Sequence, residues 1–232
     1  MGIRKHIPNT ITSMNLLAGC MGVIFTLEGR PDTAFIMMLV AAVADFSDGL
    51  AARLLHAYSP IGKELDSLAD VVSFGVLPSM MLAQCMGTYA IWRYLPLFLA
   101  VMSALRLAKF NIDPEQSENF KGMPTPASAM IAGSLAYLVT VTPESWLAGL
   151  AHTSWFMPLV ALVLGLLTVS RVPMFGMKIA KGKKLLDAKR IVFLFIAAAI
   201  VVITVALGLN WSAAVLLVFI TYLFENLILS IF

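Results

Sequence analysis

Apolar stretches separated by short polar interruptions run along nearly the whole chain, reading approximately as 10–28, 32–55, 65–87, 91–110, 124–142, 154–171, 190–208 and 211–231. Each approaches the ~20 residues that a helix needs to cross the hydrocarbon of a bilayer. The pattern predicts an all-α polytopic membrane protein of about eight transmembrane helices, forming one membrane domain over residues 1–232. Composition points the same way: 60% of residues are hydrophobic and 12% charged, with a mean hydropathy of +0.90, which excludes an ordinary soluble domain. The first apolar run follows Arg4 and Lys5 as a secretory signal would, but it is long and no small-residue cleavage site precedes Glu28-Gly29-Arg30. A retained first helix is therefore expected. Cys20 and Cys85 fall in separate apolar segments and read as reduced packing residues.

Charge orients the eight-helix pattern. Arg4, Lys5, Arg53, Lys63, Arg106, Lys109, Lys121, Arg171, Lys178, Lys181, Lys183, Lys184, Lys189 and Arg190 fall on one side, leaving Arg30 and Arg93 opposite. The positive-inside rule assigns that basic side, with both termini, to the cytoplasm. The basic run 171–190 reads mainly as a topological signal with attraction for anionic headgroups. The loop TPESWLAGLAHTS lacks Lys and Arg and reads as a simple connection. Trp211 reads as an interfacial anchor. Glu225 and Asn226 are polar at membrane depth, with an interhelical hydrogen bond as their expected use.

The chemistry concentrates in ADFSDGLAARLLHAYSPIGKELDSLAD, which places Asp45, Asp48, Asp66 and Asp70 in or beside membrane-spanning segments. A charged side chain costs at least roughly 2.5 kcal/mol there. Spacings of three and four put each pair on one helix face. Ser59-Pro60 and Gly62 supply a turn that folds the second pair back against the first. Four convergent carboxylates call for a cation, and an all-oxygen set with no zinc-site partners for His6 or His56 favours Mg²⁺ or Mn²⁺. Two such ions about 3.5–4 Å apart would clamp a phosphate. Gly49 and Ala52 leave the adjoining helix face bare, and Arg53 adds a planar donor suited to phosphate oxygens. The competing reading, buried ion pairs with Arg53 and Lys63, leaves two carboxylates unneutralised.

The string Asp45-x2-Asp48-Gly49-x2-Ala52-Arg53-x8-Gly62-x3-Asp66-x3-Asp70 resembles the signature of the CDP-alcohol phosphotransferases, with every fixed position filled. The resemblance implies Asp45, Asp48, Asp66 and Asp70 as ligands of two divalent ions that hold the diphosphate of a CDP-linked lipid. It also implies Asp70 as the base for an attacking hydroxyl, and Gly49, Ala52, Arg53 and Gly62 as the CDP-lipid wall. Pro8-Asn9-x-x-Thr12 resembles the opening of related enzymes, which places Asn9 and Thr12 at the nucleotide; helix capping and interhelical bonding by Asn9, Thr12 and Asn15 is the alternative. The family likeness further implies a homodimer.

Arg106-Leu-Ala-Lys109-Phe-Asn111, then Phe120-x-Gly122-x-Pro124-Thr125-Pro126, resembles the integral-membrane phosphatidylserine synthases, as does Asp70-Val-Val-Ser73-Phe-Gly75-x-x-Pro78. That likeness implies phosphatidyl transfer from CDP-diacylglycerol to the hydroxyl of L-serine with release of CMP, at the cytoplasmic side of the membrane. Arg106 and Lys109 either reach the site to bind acceptor carboxylate or phosphate, or snorkel to lipid phosphates. Two rivals stand beside this reading. One is the same chemistry with glycerol 3-phosphate or inositol as acceptor; the other is a cation transporter, against which the acids cluster at one membrane face and no inverted repeat of the hairpin occurs.

Overall fold

The computed structural model describes residues 6–86, 91–112, 122–174 and 188–229, and among them every regular element is helical, with no strand. Helices α1 (His6–Leu27) and α2 (Pro31–Leu54) form an antiparallel hairpin. Its turn is made by Gly29 at φ 71° and by Pro31, whose fixed φ suits the first turn of a helix. Helix α3 (Pro60–Asp70) starts five residues before the expected apolar boundary. Ser59 caps it by accepting from the Gly62 amide at 3.0 Å, with Pro60 at its first position.

The chain continues without a break through a π-helical stretch, Val71–Val76, into α4 (Leu77–Cys85). Pro78 explains the wider winding: it has no N–H to donate, and its ring presses on the carbonyl four residues back. The Leu77 amide accordingly bonds to the Val72 carbonyl, five residues back. This composite helix packs on α1 at two glycines, Gly19 beside Ser73 and Gly22 beside Leu77, where small residues let backbones approach.

A 3₁₀ segment, Ile91–Leu97, leads into α5 (Phe98–Ile112), followed by α6 (Thr125–Val141), α7 (Trp146–Ala151), α8 (Phe156–Val169), α9 (Ala188–Ala206) and α10 (Trp211–Leu229). Helix α6 is the central post, buried along most of its length and in contact with α2, α4, α8 and α10. Gly122, at φ 81°, lets the backbone after α8 come close; its amide donates to the Val172 carbonyl at 2.8 Å, tying the entry of α6 to the segment that follows α8. The α7 segment corrects the expectation of a simple connection: Ser145 caps a short helix there, accepting from the Ala148 amide at 3.2 Å.

Among the described residues, five helices are long and apolar enough to cross a membrane: α1, α2, the composite Pro60–Cys85, Ile91–Ile112 and α10. Three further apolar helices, at Thr125–Val141, Phe156–Val169 and Arg190–Ala206, are shorter. Large apolar side chains such as Met14, Leu17, Val43, Phe46 and Phe195 face outward, as they do in a protein whose solvent is lipid. Trp211, expected as an interfacial anchor, also packs inward. It stacks on Phe35 at 5.3 Å and meets Tyr137 at 5.4 Å, while Phe35 and Tyr137 stack at 5.7 Å, so α2, α6 and α10 are joined by three rings. Most of the basic run 171–190 lies outside the described residues.

Candidate active site

The acidic residues meet because two helices run antiparallel past each other at one end of the bundle. Asp45 and Asp48 lie one turn apart late in α2, and Asp66 lies midway along α3; each offers a carboxylate oxygen within 4.8 Å of the others. At that spacing each pair repels by roughly 3 kcal/mol at an effective dielectric of about 20, a cost that a divalent cation among them reverses. The donor set is entirely carboxylate oxygen, which suits a hard cation. Thr12, brought in by α1, donates to Asp48 Oδ2 at 2.6 Å and also lies 3.0 Å from the Pro8 carbonyl. That bond fixes the orientation of a carboxylate whose residue is only 5% exposed.

Asp70 stands apart from this group. One turn beyond Asp66, where the π stretch begins, it is buried, and its Oδ1 accepts from Asn15 Nδ2 at 3.2 Å. Ser73 anchors the same stretch by donating to the Asn15 carbonyl at 3.1 Å. The four acids thus divide into a cluster of three and a neighbour with its own hydrogen-bond donor.

A cleft of about 290 Å³ opens beside the cluster, with Asp48 and Asp66 in its wall. Asn9, Thr12, Gly49, Ala52, Arg53 and Gly62, all expected at the CDP-lipid, line it too. The two glycines serve it differently. A Cβ on Gly49 would meet nothing within 4 Å, so that face is open, whereas one on Gly62 would lie 2.8 Å from Asn9 Oδ1 and 2.9 Å from Ser59 Oγ. Arg53 is exposed, with Nε donating to the Gly49 carbonyl at 3.0 Å. Lys63 also borders the cleft, but its Nζ donates to the Asn111 carbonyl at 3.0 Å, so it ties α3 to the last turn of α5. Asn111 completes the tie by donating to Glu64 Oε2 at 3.1 Å and Ser67 Oγ at 3.0 Å.

The structure separates Arg106 from Lys109: Lys109 is exposed, whereas Arg106 is buried within electrostatic range of Asp70 and of Tyr222 on α10. Arg106 Nε, Asn15 Oδ1, Ser103 Oγ and Thr125 Oγ1 are buried without a hydrogen-bond partner. Such atoms cost about 1–3 kcal/mol each when nothing polar reaches them. Two of the four residues lie at Asp70 and its π stretch: Asn15 bonds Asp70, and Ser103 packs on Gly75. Asn15 was legible as polar and in phase with Thr12, but only the fold gives it Asp70 as a partner. Nothing in the spacing of residues pointed to Ser103 or Tyr222. His56 and His152 are both exposed and lie outside the acidic cluster, and the two cysteines are free.

Residues 5–167 match the model of the CDP-alcohol phosphatidyltransferase family. A CDP-diacylglycerol–serine O-phosphatidyltransferase of Mycobacterium leprae is 36% identical over 177 residues, covering 72% of this chain and 57% of that protein. One of the same description from Bacillus subtilis is 34% identical over 161 residues, covering 66% of this chain and 86% of that protein. An archaetidylserine synthase of Methanothermobacter thermautotrophicus is 30% identical over 137 residues, 55% of this chain and 56% of that one. The chain thus spans about three fifths of the length of the mycobacterial relatives that it matches. The acidic signature lies wholly inside the matched region, and the chain belongs to the CDP-alcohol phosphatidyltransferase family.

Proposed function

We propose that the protein transfers a phosphatidyl group from CDP-diacylglycerol to the hydroxyl of L-serine, forming phosphatidylserine and releasing CMP. The observation that carries the chemistry is the convergence of Asp45, Asp48 and Asp66 beside a cleft that has Asp48, Asp66 and, from α1, Thr12 in its wall. Serine as acceptor is supported by the relatives: serine is common to the bacterial and the archaeal descriptions, whose lipids differ.

The three carboxylates, with Asp70 as a further ligand, would hold two divalent ions, Mg²⁺ or Mn²⁺. When bound, such ions neutralise the diphosphate and stabilise CMP as a leaving group. The chain's own residues supply the rest. The open face at Gly49 and Ala52 lets the diphosphate lie against α2, Asn9 and Thr12 border the nucleotide, and Arg53 reaches phosphate oxygens from the rim. Asp70, oriented by Asn15, takes the serine hydroxyl proton as oxygen attacks phosphorus. Arg106 meets the serine carboxylate or the transferred phosphate, and a polar acceptor there would satisfy Asn15 and Ser103 as well. No other side chain at the cluster is an activated nucleophile, so attack is direct and inverts configuration at phosphorus. The site opens to the cytoplasm with both termini on that side, in an eight-helix homodimer.

CMP release from CDP-diacylglycerol by the purified protein in detergent, with Mn²⁺ or Mg²⁺, tests the reading when L-serine is compared with glycerol 3-phosphate and inositol. Release that depends on serine is expected. Release with another acceptor would keep the cation site and discard serine; flux of a cation without CMP would replace both with transport.

A further inference from the structure

Helix α3 carries Asp66 into the acidic cluster, yet packing does little to fix how that helix is rotated. Of its 11 residues, only Ala69 and Asp70, at its far end, are buried. The carboxylate oxygens of Asp45, Asp48 and Asp66 lie within 4.8 Å of one another, and their repulsion favours turning Asp66 outward. A polar tie is needed to oppose that turn.

Asn111, in the last turn of α5, supplies one. Its Nδ2 donates to two side chains of α3, Glu64 Oε2 at 3.1 Å and Ser67 Oγ at 3.0 Å. Ser67 follows Asp66 directly and Glu64 precedes it by two, so their side chains leave the helix about 100° and 160° around from it, on the same flank. Two bonds at different heights on that flank set the rotation of α3 as well as its distance from α5. Glu64 also decides which way the amide faces. A carboxylate offers acceptors only, so Nδ2 turns to α3, and Oδ1 is left buried without a partner. An aspartate of the same shape would donate to neither group. The Lys63 bond falls on the backbone carbonyl of Asn111 and does not depend on that side chain.

We propose that Asn111 is a positioning residue for Asp66: from α5 it holds α3 at the rotation that turns Asp66 toward Asp45 and Asp48. The consequence for cation affinity rests on the metal site proposed above; the placement of Asp66 does not.

The test uses the full chain purified in detergent. Carbodiimide coupling of glycine ethyl ester in metal-free buffer, read by mass spectrometry, follows the accessibility of Asp66, with exposed Asp32 of α2 as internal reference. Asn111→Asp sets a carboxylate against Glu64 and is expected to speed labelling of Asp66 severalfold, with Asp32 unchanged. In Mn²⁺ titrations followed by electron paramagnetic resonance, the same variant should raise Kd about tenfold, at the low end for residues that orient metal ligands. Combining Asn111→Asp with Glu64→Gln restores both bonds with donor and acceptor exchanged, and should return both readings to those of the parent protein. Glu64→Gln alone keeps an acceptor for Asn111 and should change neither. Unchanged labelling of Asp66 in Asn111→Asp overturns the proposal, and so does faster labelling that the combined variant fails to restore. Faster labelling that is restored, in a protein that binds no Mn²⁺, upholds Asn111 as the holder of Asp66 and removes the cation site.

Discussion

Helix α10 meets the bundle at its two ends by opposite means. At its start, Trp211 stacks on Phe35 and tilts against Tyr137, a contact made chiefly of ring surface. At its other end, Tyr222 and Asn226 are buried polar side chains, Tyr222 edge-on to Phe193 and Asn226 donating to the Tyr222 carbonyl. Phe35 precedes Asp45 by ten residues on the same helix, about 15 Å along its axis, so both arrangements hang on one rigid rod. The ring end holds helices together through apolar contact; the acidic end carries mutual repulsion and unsatisfied atoms that a ligand would relieve. Stability and chemistry are thereby assigned to different ends of the same elements.

The difference can be broken most sharply at Asp70. Asp70→Asn is expected to lower serine-dependent CMP release by about 10²–10⁴-fold, the range for a general base, while the unfolding midpoint in detergent stays within a few degrees. Phe35→Ala should do the reverse: about 3 kcal/mol of stability lost in denaturant titration, with turnover per folded molecule retained. If Phe35→Ala abolished turnover in folded protein, the ends would be coupled rather than separate. Within the acidic end, Gly62→Ala drives a Cβ against Asn9 and should raise the KM for CDP-diacylglycerol by about tenfold, with serine unaffected. Gly49→Ala, meeting nothing, should weaken CDP-lipid binding without any loss of stability and with a helix-propensity gain of up to about 1 kcal/mol. The smallest effect is expected from Lys63→Met, which removes an exposed tie to Asn111 and should cost about 0.5 kcal/mol with kinetics intact.

Local spacing explains what the sequence revealed. Asp45 with Asp48, the Ser59 cap and the glycines beside the cleft are set by helical phase and turn chemistry, which neighbours in the chain determine. Thr12 was placed by its likeness to related enzymes, and its bond to Asp48 bears on that placement. The parting of Asp70 from the other acids was not legible, because it depends on the π winding that follows and on Asn15 arriving from α1. Lys63 had been weighed as a counter-ion for the acids, and the fold gives it a carbonyl of α5 instead. Trp211 gained its partners on α2 and α6 through contacts between distant helices, about which hydropathy carries no information. The lengths of the apolar runs placed the helices well but not the number long enough to span: α6, at 17 residues, is mostly buried, and being enclosed it does not need to match the bilayer on its own.

The π stretch gives the composite helix Pro60–Cys85 a property that its neighbours lack. Bonding five residues back winds more chain into each turn than the α form holds, so Val71–Val76 stores slack between Asp70 and the apolar α4. Reverting those residues to the α form would lengthen the rod and rotate its two halves against each other. The acids would then turn relative to the core surface that α4 presents to α6. The phase of the helix on one side of Asp70 is in this way set independently of the phase on the other, as two gears on one shaft are set by the coupling between them.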